Sequence, residues 1–195
     1  MLIIKIVVLT YPLEKANLQM GLLNKTKAYL VGPMENLDGT TWRAYVESML
    51  SAIEVHCFNP YNKPFINNIE EGQEVRNKIR NEINRGNLEY SYSVGKTIRS
   101  HDLNLVDRSD FIIVNLHPTI ASIGSVEELV TAVRAKKAIY IAIEGGRTKC
   151  PAWITWMVNP DYIYNSVSEI VEVLYDIDKG IAIDDRLKLL KPEYR

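Results

Sequence analysis

The chain has 195 residues, 47% of them hydrophobic, and its 23 Lys and Arg against 24 Asp and Glu leave a net charge of −1. That length suits a single domain with a sizeable core, and the near-neutral balance excludes the basic excess expected of a protein that binds nucleic acid or a membrane surface. The two cysteines, Cys57 and Cys150, lie far apart and outside any ligand spacing, so both read as reduced thiols of a cytoplasmic protein.

The run from Met1 to Leu9 is apolar except for Lys5. It is far shorter than the roughly 20 residues needed to span a bilayer. It also lacks the charged region and cleavage site of a signal peptide. Residues 1–26 therefore read as a leader or an extra strand, with Met20 as an alternative start. Lys27 to Val31 is the first strand, broken by Gly32-Pro33. A helix is predicted from Thr41 to Ile53, with Trp42, Tyr45, Val46, Met49, Leu50 and Ile53 as its apolar stripe. Val55 to Phe58 is a second strand, ended by Asn59-Pro60.

Residues 60–99 are long for a connection and read as an insertion. Glu74 to Arg85 within them is an amphipathic helix on Val75, Ile79 and Ile83, whose charges, Arg76 among them, read as a solvated face. Tyr90 and Tyr92 read as packing residues. A further helix, Ser100 to Arg108, has its N-cap near Ser100 or His101, which puts Asp102 in the first turn. Phe111 to Val114 is a short apolar run of the kind a parallel strand buried on both faces needs. His117 to Gly124 is loop, and a helix begins at Gly124-Ser125. Ala138 to Ile143 is the next strand, closed by Gly145-Gly146, and Pro151, Trp153 and Trp156 follow in a short irregular or helical piece. Tyr162 to Tyr164 is the last strand, Ser166 to Asp178 the last helix, and 179–195 a polar tail with few anchors.

Strands alternating with helices imply an α/β fold: a doubly wound parallel sheet, flavodoxin- or Rossmann-like, with helices on both faces of a 27–178 core. The order 2-1-3-4-5 puts the switch point between the strands at Lys27 and Phe111, so Tyr29 to Asn36 faces His117 to Glu128 across the ligand crevice. The helix start at Gly124-Ser125 suits an anion there. A helix feeding the Phe111 strand runs antiparallel to it, which brings Asp102 to the same carboxyl edge. Helix phase turns Glu128 inward with Ala132 and Ala135, and Glu127 outward with Thr131 and Arg134. Ser125-Val-Glu-Glu128 also reads as a capping box, in which Glu128 serves only the helix start.

Three motifs in order carry a resemblance: Tyr29-Leu-Val-Gly-Pro33, Asp102-Leu-Asn-Leu-Val-Asp-Arg-Ser-Asp110, and Ser122-Ile-Gly-Ser-Val-Glu-Glu128 with Ala132. Together they resemble the nucleoside 2-deoxyribosyltransferase superfamily over about Lys27 to Tyr140, leaving the insertion and tail uncovered. The resemblance implies that Glu128 attacks C1′ of the sugar, that Asp102 assists the departing base, that Tyr29 orients the glutamate and that Gly32-Pro33 lines the site. It implies no metal and no organic cofactor. Such chemistry suits the residue types, since a carboxylate traps an oxocarbenium-like sugar and a second carboxyl group protonates the leaving base.

Free-nucleoside transferases usually carry an aspartate where this chain has Ser122; a serine resembles the branch that hydrolyses nucleoside 5′-monophosphates. A phosphate would then meet Ser122, the amides at Gly124 and Ser125 and the Ser125 hydroxyl, with Arg43 joining if the Asp38 to Thr41 loop folds over. The bland alternative makes Ser122 a plain loop residue and Arg43 a solvated charge. The expected partner is thus a small nucleoside or nucleoside 5′-monophosphate, with no nucleic acid and no membrane. A homo-oligomer is also expected, because related enzymes complete their sites with a neighbouring subunit. Base exchange between nucleosides is the alternative activity. A nucleotide-binding sensor without turnover is the third reading; it needs the helix start but not Asp102 and Tyr29 facing Glu128.

Overall fold

Five β-branched or apolar runs become strands: β1 (Lys27–Val31), β2 (His56–Phe58), β3 (Phe111–Leu116), β4 (Ala138–Ile143) and β5 (Ile163–Tyr164). The computed structural model describes residues 21–34, 39–63, 71–120, 122–191 and 194. In it the strands form one parallel sheet of order β2-β1-β3-β4-β5, the predicted arrangement. Ala28 pairs with Phe111 and Val31 with Val114, so β1 and β3 end together. The helices are α1 (Thr40–Ser51), α2 (Gln73–Asn84), α3 (Leu88–Arg108), α4 (Ile123–Arg134), α5 (Ala152–Met157) and α6 (Val167–Asp178).

Strand alternation sorts the core into two halves. Leu30, Phe111, Ile113 and Tyr140 pack against Val46 and Leu50 of α1 and Ile170 and Leu174 of α6. Tyr29, Val31, Ile112, Val114 and Ile141 face the other way, against Leu105 and Val106 of α3 and Leu129 and Ala132 of α4. Tyr29 therefore lies, by its parity in β1, on the side covered by α3 and α4.

Several boundaries differ from expectation, each for a local reason. The helix predicted from Ser100 starts at Leu88, where the Asn87 side chain accepts from the Tyr90 amide. Ser100 and His101 do not cap; they bond back to the carbonyls of Lys96 and Thr97, at 2.8 and 2.9 Å, which lets polar residues sit inside a helix. Asp102 is consequently deep within α3 rather than in a first turn. Tyr92 is 61% exposed, with the Lys96 ammonium near its ring, so it does not pack into the core.

Residues 1–20 lie outside the described residues. Residues 21–26 form a turn that leads into β1 and is held to the core: Leu23 is fully buried, and its amide donates to Asp178 Oδ1 at the end of α6. The tail is anchored rather than loose. Tyr140 Oη donates to Asp184 Oδ2 at 2.7 Å, Arg186 Nη1 donates to the Ile139 carbonyl at 2.9 Å, and Leu187 and Leu189 pack on the core. Among the described residues no helix is long and apolar enough to cross a membrane.

Candidate active site

The loops leaving β1 and β3 flank a cavity of about 510 Å³ at the carboxyl edge of the sheet. Gly32, Pro33 and Arg43 line it from one side, Ser122, Gly124, Ser125 and Glu128 from another, and Asp102 from α3. Most of the remaining wall comes from the insertion and α3: Glu71, Arg76, Ile79, Arg80, Ile83, Gly95 and Ile98. Gly32 is required by close approach, since a Cβ there would lie 2.9 Å from the Asn115 carbonyl oxygen. A Cβ on Gly124, by contrast, would meet nothing within 4 Å; it would project into open space.

The Ser125 capping box does not form. Ser122 is the N-cap of α4, its Oγ accepting from the Ser125 amide at 3.4 Å and lying 2.8 Å from Ser125 Oγ. Both serines are caps at heart, and the earlier one takes the role. Glu128 thereby lies six residues past the cap, beyond the first turn, and is released from it. Ser122 is likewise no plain loop residue.

Tyr29 Oη donates to Glu128 Oε1 at 2.6 Å. Burial drives the Glu128 carboxyl up to about 8; the nearby Asp102 charge pushes the same way, while the Tyr29 hydrogen bond and the charges of Arg43 and Lys63 oppose it. Burial, followed by the Glu128 and Asp102 charges, holds the Tyr29 hydroxyl well above its ordinary range. Glu127, one residue away, points out to Arg99, whose Nε donates to it at 2.7 Å; that bond is the main reason its carboxyl stays below the usual range.

Asp102 reaches the cavity in company. Lys63 Nζ lies 2.6 Å from Asp102 Oδ1 and 2.5 Å from Glu71 Oε2, and Arg76 Nη2 is 3.1 Å from Glu71 Oε1. Burial raises the Asp102 carboxyl, Lys63 lowers it, Glu71 raises it again, and the net direction is up. Arg76 is therefore not a solvated charge: its Nη1 also donates to the Met34 carbonyl beyond the glycine turn. Neither is Arg43. It is fully buried, and Nε, Nη1 and Nη2 donate to the carbonyls of Leu30, Gly39 and Gly32 at 3.3, 2.7 and 2.8 Å. Its guanidinium stacks on Trp42 and Tyr61. Those contacts make it a brace for the turn at Gly32. Asp38 and Asn36, named with that loop, lie outside the described residues.

Asp102, Glu128, Ser122, Gly124 and the Gly32-Pro33 turn thus meet at one cavity, with Tyr29 fully buried and bonded to Glu128 from 99 residues away. Sequence reasoning missed Lys63, Glu71 and Arg76. The only available signal was the apolar stripe of Ile79 and Ile83, which needs a surface to face and makes a plain solvated helix incomplete. Among the described residues no group of three or more His, Cys, Asp or Glu stands together to hold a metal.

The fold and cavity define an α/β protein with a tyrosine–glutamate pair at the topological switch point. No protein-family model matches the chain, and no curated protein matches it. Solved structures do. A 2-deoxyribosyltransferase from the psychrotolerant bacterium Bacillus psychrosaccharolyticus is 15% identical, with a TM-score of 0.50 over 75% of this chain and 90% of that one. A 2-desoxiribosyltransferase from Leishmania mexicana is 18% identical, with a TM-score of 0.42 over 63% of this chain and 67% of that one. The bacterial likeness shows a shared fold.

Proposed function

We propose that this chain is an enzyme that hydrolyses the N-glycosidic bond of a nucleoside 5′-monophosphate through a covalent glycosyl ester on Glu128. The observation that carries the reading is the 2.6 Å bond from Tyr29 Oη to Glu128 Oε1, set in a cavity that also holds Asp102. In the first step the Glu128 carboxylate attacks C1′ as the C1′–N bond breaks. The base leaves with the electron pair and takes a proton from Asp102. In the second, Asp102 accepts a proton from a water that attacks C1′ and frees Glu128. Tyr29 holds one oxygen of the nucleophile, which aims the other at the sugar. A sensor would need none of this alignment.

The phosphate subsite is assigned to the start of α4. The Ile123 and Gly124 amides have no acceptor within the helix, and the Ser122 and Ser125 hydroxyls stand beside them. Arg76 and Arg80 supply positive charge on the cavity wall. Arg43, committed to three carbonyls, shapes the turn instead of binding phosphate. The fold shared with a 2-deoxyribosyltransferase supports base exchange as the second reading.

Chromatography of free base decides between them, using each nucleoside and its 5′-monophosphate, with and without an acceptor base. The expected result is base release without an acceptor. Charge-assisted hydrogen bonds contribute about 1.5–3 kcal/mol each, so kcat/KM should favour the monophosphate by about tenfold or more. Ser122→Asp keeps a competent N-cap but repels the phosphate, and reverses the preference. Equal use of both substrates by the parent overturns the monophosphate assignment, and turnover only with an acceptor makes the chain a transferase.

A further inference from the structure

Lys63 lies in the connection after β2, and no periodicity or motif singles it out. Its ammonium joins two carboxylates, Asp102 at 2.6 Å and Glu71 at 2.5 Å, with side-chain exposures of 5% for the lysine and 14% for each acid. Arg76 ties Glu71 onward to the Met34 carbonyl after the Gly32-Pro33 turn. Apolar side chains often fill such buried space with equal or better stability, so an ion cluster here points to chemistry rather than to packing. The cluster also touches the cavity through Asp102, Glu71 and Arg76. Among the described residues, Asp102 is also acted on by His101, the preceding residue on its own helix, by Glu128 of the same cavity and by the buried Tyr29 bonded to Glu128.

We propose, resting on the reading of Asp102 as the acid of glycosidic cleavage, that Lys63 is the positioning residue that sets how readily Asp102 gives up its proton. Lys63 grips Oδ1, so Oδ2 is the oxygen that serves the base. As the C1′–N bond breaks and a C1′–O bond forms on Glu128, the base nitrogen takes the electron pair and the proton from Asp102 Oδ2. The carboxylate left behind is neutralised by Lys63, which keeps its own proton. The attacking water later returns a proton to Asp102. Glu71 shares the lysine and weakens its hold on Asp102, so the two act in opposite senses.

The test uses Lys63→Met, Lys63→Arg and Glu71→Gln in the full chain, with the limb of the pH–rate profile that disappears in Asp102→Asn marking Asp102. Lys63→Met should lower kcat on the natural monophosphate by about 100-fold, within the range of general acid catalysis, and far less on a nitrophenyl leaving group that needs no proton. Lys63→Arg should recover much of the loss. The Asp102 limb should move about one pH unit alkaline in Lys63→Met and toward acid in Glu71→Gln, as removal of an opposite or a like charge requires. Should Lys63→Met fail to fold, Glu71→Gln carries the test by itself, its shift toward acid read in the Asp102 limb and in a 13C NMR titration of the Asp102 carboxyl. Equal losses on both leaving groups, or an unmoved limb, overturn the proposal and leave the glycosidase reading standing. A parent chain that releases no base overturns both.

Discussion

Two tyrosine–carboxyl pairs leave opposite faces of the same sheet. Tyr29 of β1 donates to Glu128 at 2.6 Å, and Tyr140 of β4 donates to Asp184 at 2.7 Å. The second pair is closed by a cation. Arg186 Nη2 lies 2.5 Å from Asp184 Oδ2, its Nε 2.9 Å from Oδ1, and its guanidinium covers the Tyr162 and Tyr140 rings. Burial alone would raise the Asp184 carboxyl, but the hydrogen bonds from Arg186 and Tyr140 outweigh it and the net direction is down. Among the described residues no guanidinium closes on Glu128 in that way; burial prevails and its carboxyl rises to about 8. The same two functional groups therefore fasten a tail on one face and leave a buried, raised carboxyl beside a cavity on the other. What differs is whether a cation completes the pair or a cavity opens beside it.

The largest expected effect breaks the Tyr29–Glu128 pair. Glu128→Ala should abolish base release, by on the order of 10³-fold or more, as loss of a nucleophile does elsewhere. Glu127→Ala should stay within about twofold, because surface pairs such as its contact with Arg99 contribute little. A 2-fluoro-2-deoxyribosyl substrate should add the sugar mass to a peptide containing Glu128 and not to one containing Asp184. Similar rates for the two glutamate variants would remove Glu128 from the mechanism. Next comes Asp102→Asn, expected to lower the rate with natural bases by about 100-fold and much less with a leaving group that needs no proton. Equal losses would make Asp102 a structural or sugar-binding residue.

The tyrosines sharpen the contrast further. Tyr29→Phe removes a donor that favours the Glu128 carboxylate, so the carboxyl rises above about 8 and the limb of the pH–rate profile carrying Glu128 moves alkaline. The rate should fall by about tenfold, the worth of one hydrogen bond to a charged group. Tyr140→Phe should leave the rate alone and lower the unfolding midpoint instead.

Smallest are the effects on stability, and they have opposite signs with pH. The Glu128 carboxyl is raised in the folded chain, so its contribution is fully present below the ordinary carboxylate range and is lost as pH rises through about 8. Glu128→Gln should flatten that fall and raise the unfolding midpoint at pH 8 more than at pH 5. The Asp184 carboxyl is lowered, so its contribution is present above its unfolded value and is lost as pH falls through the folded one. Asp184→Asn should therefore cost about 2 kcal/mol at neutral pH and progressively less in acid, measured by denaturant unfolding. Parallel pH trends in the two variants would dissolve the distinction drawn between the pairs.

By itself the sequence determined the sheet. Short β-branched runs with turn signals at each end are local facts, and their alternation with helices leaves few topologies, so the order β2-β1-β3-β4-β5 was legible. Helix period likewise separated Glu128 from Glu127, because residues four apart share a face whatever the rest of the chain does. Local signals failed where two local solutions competed. Ser122 and Ser125 are both good caps, and the earlier one is used; Ser100 looked like a helix start and instead bonds back inside α3. The tertiary structure alone decided the ionic surroundings. Lys63 meets Asp102 across 39 residues, and Arg43 turns from a helix-surface charge into a buried brace. Asp184 finds Tyr140 across 44 residues. Periodicity depends on near neighbours and is written into any stretch of chain, whereas a charge acquires its meaning from whichever partner, cavity or solvent the closed fold puts beside it.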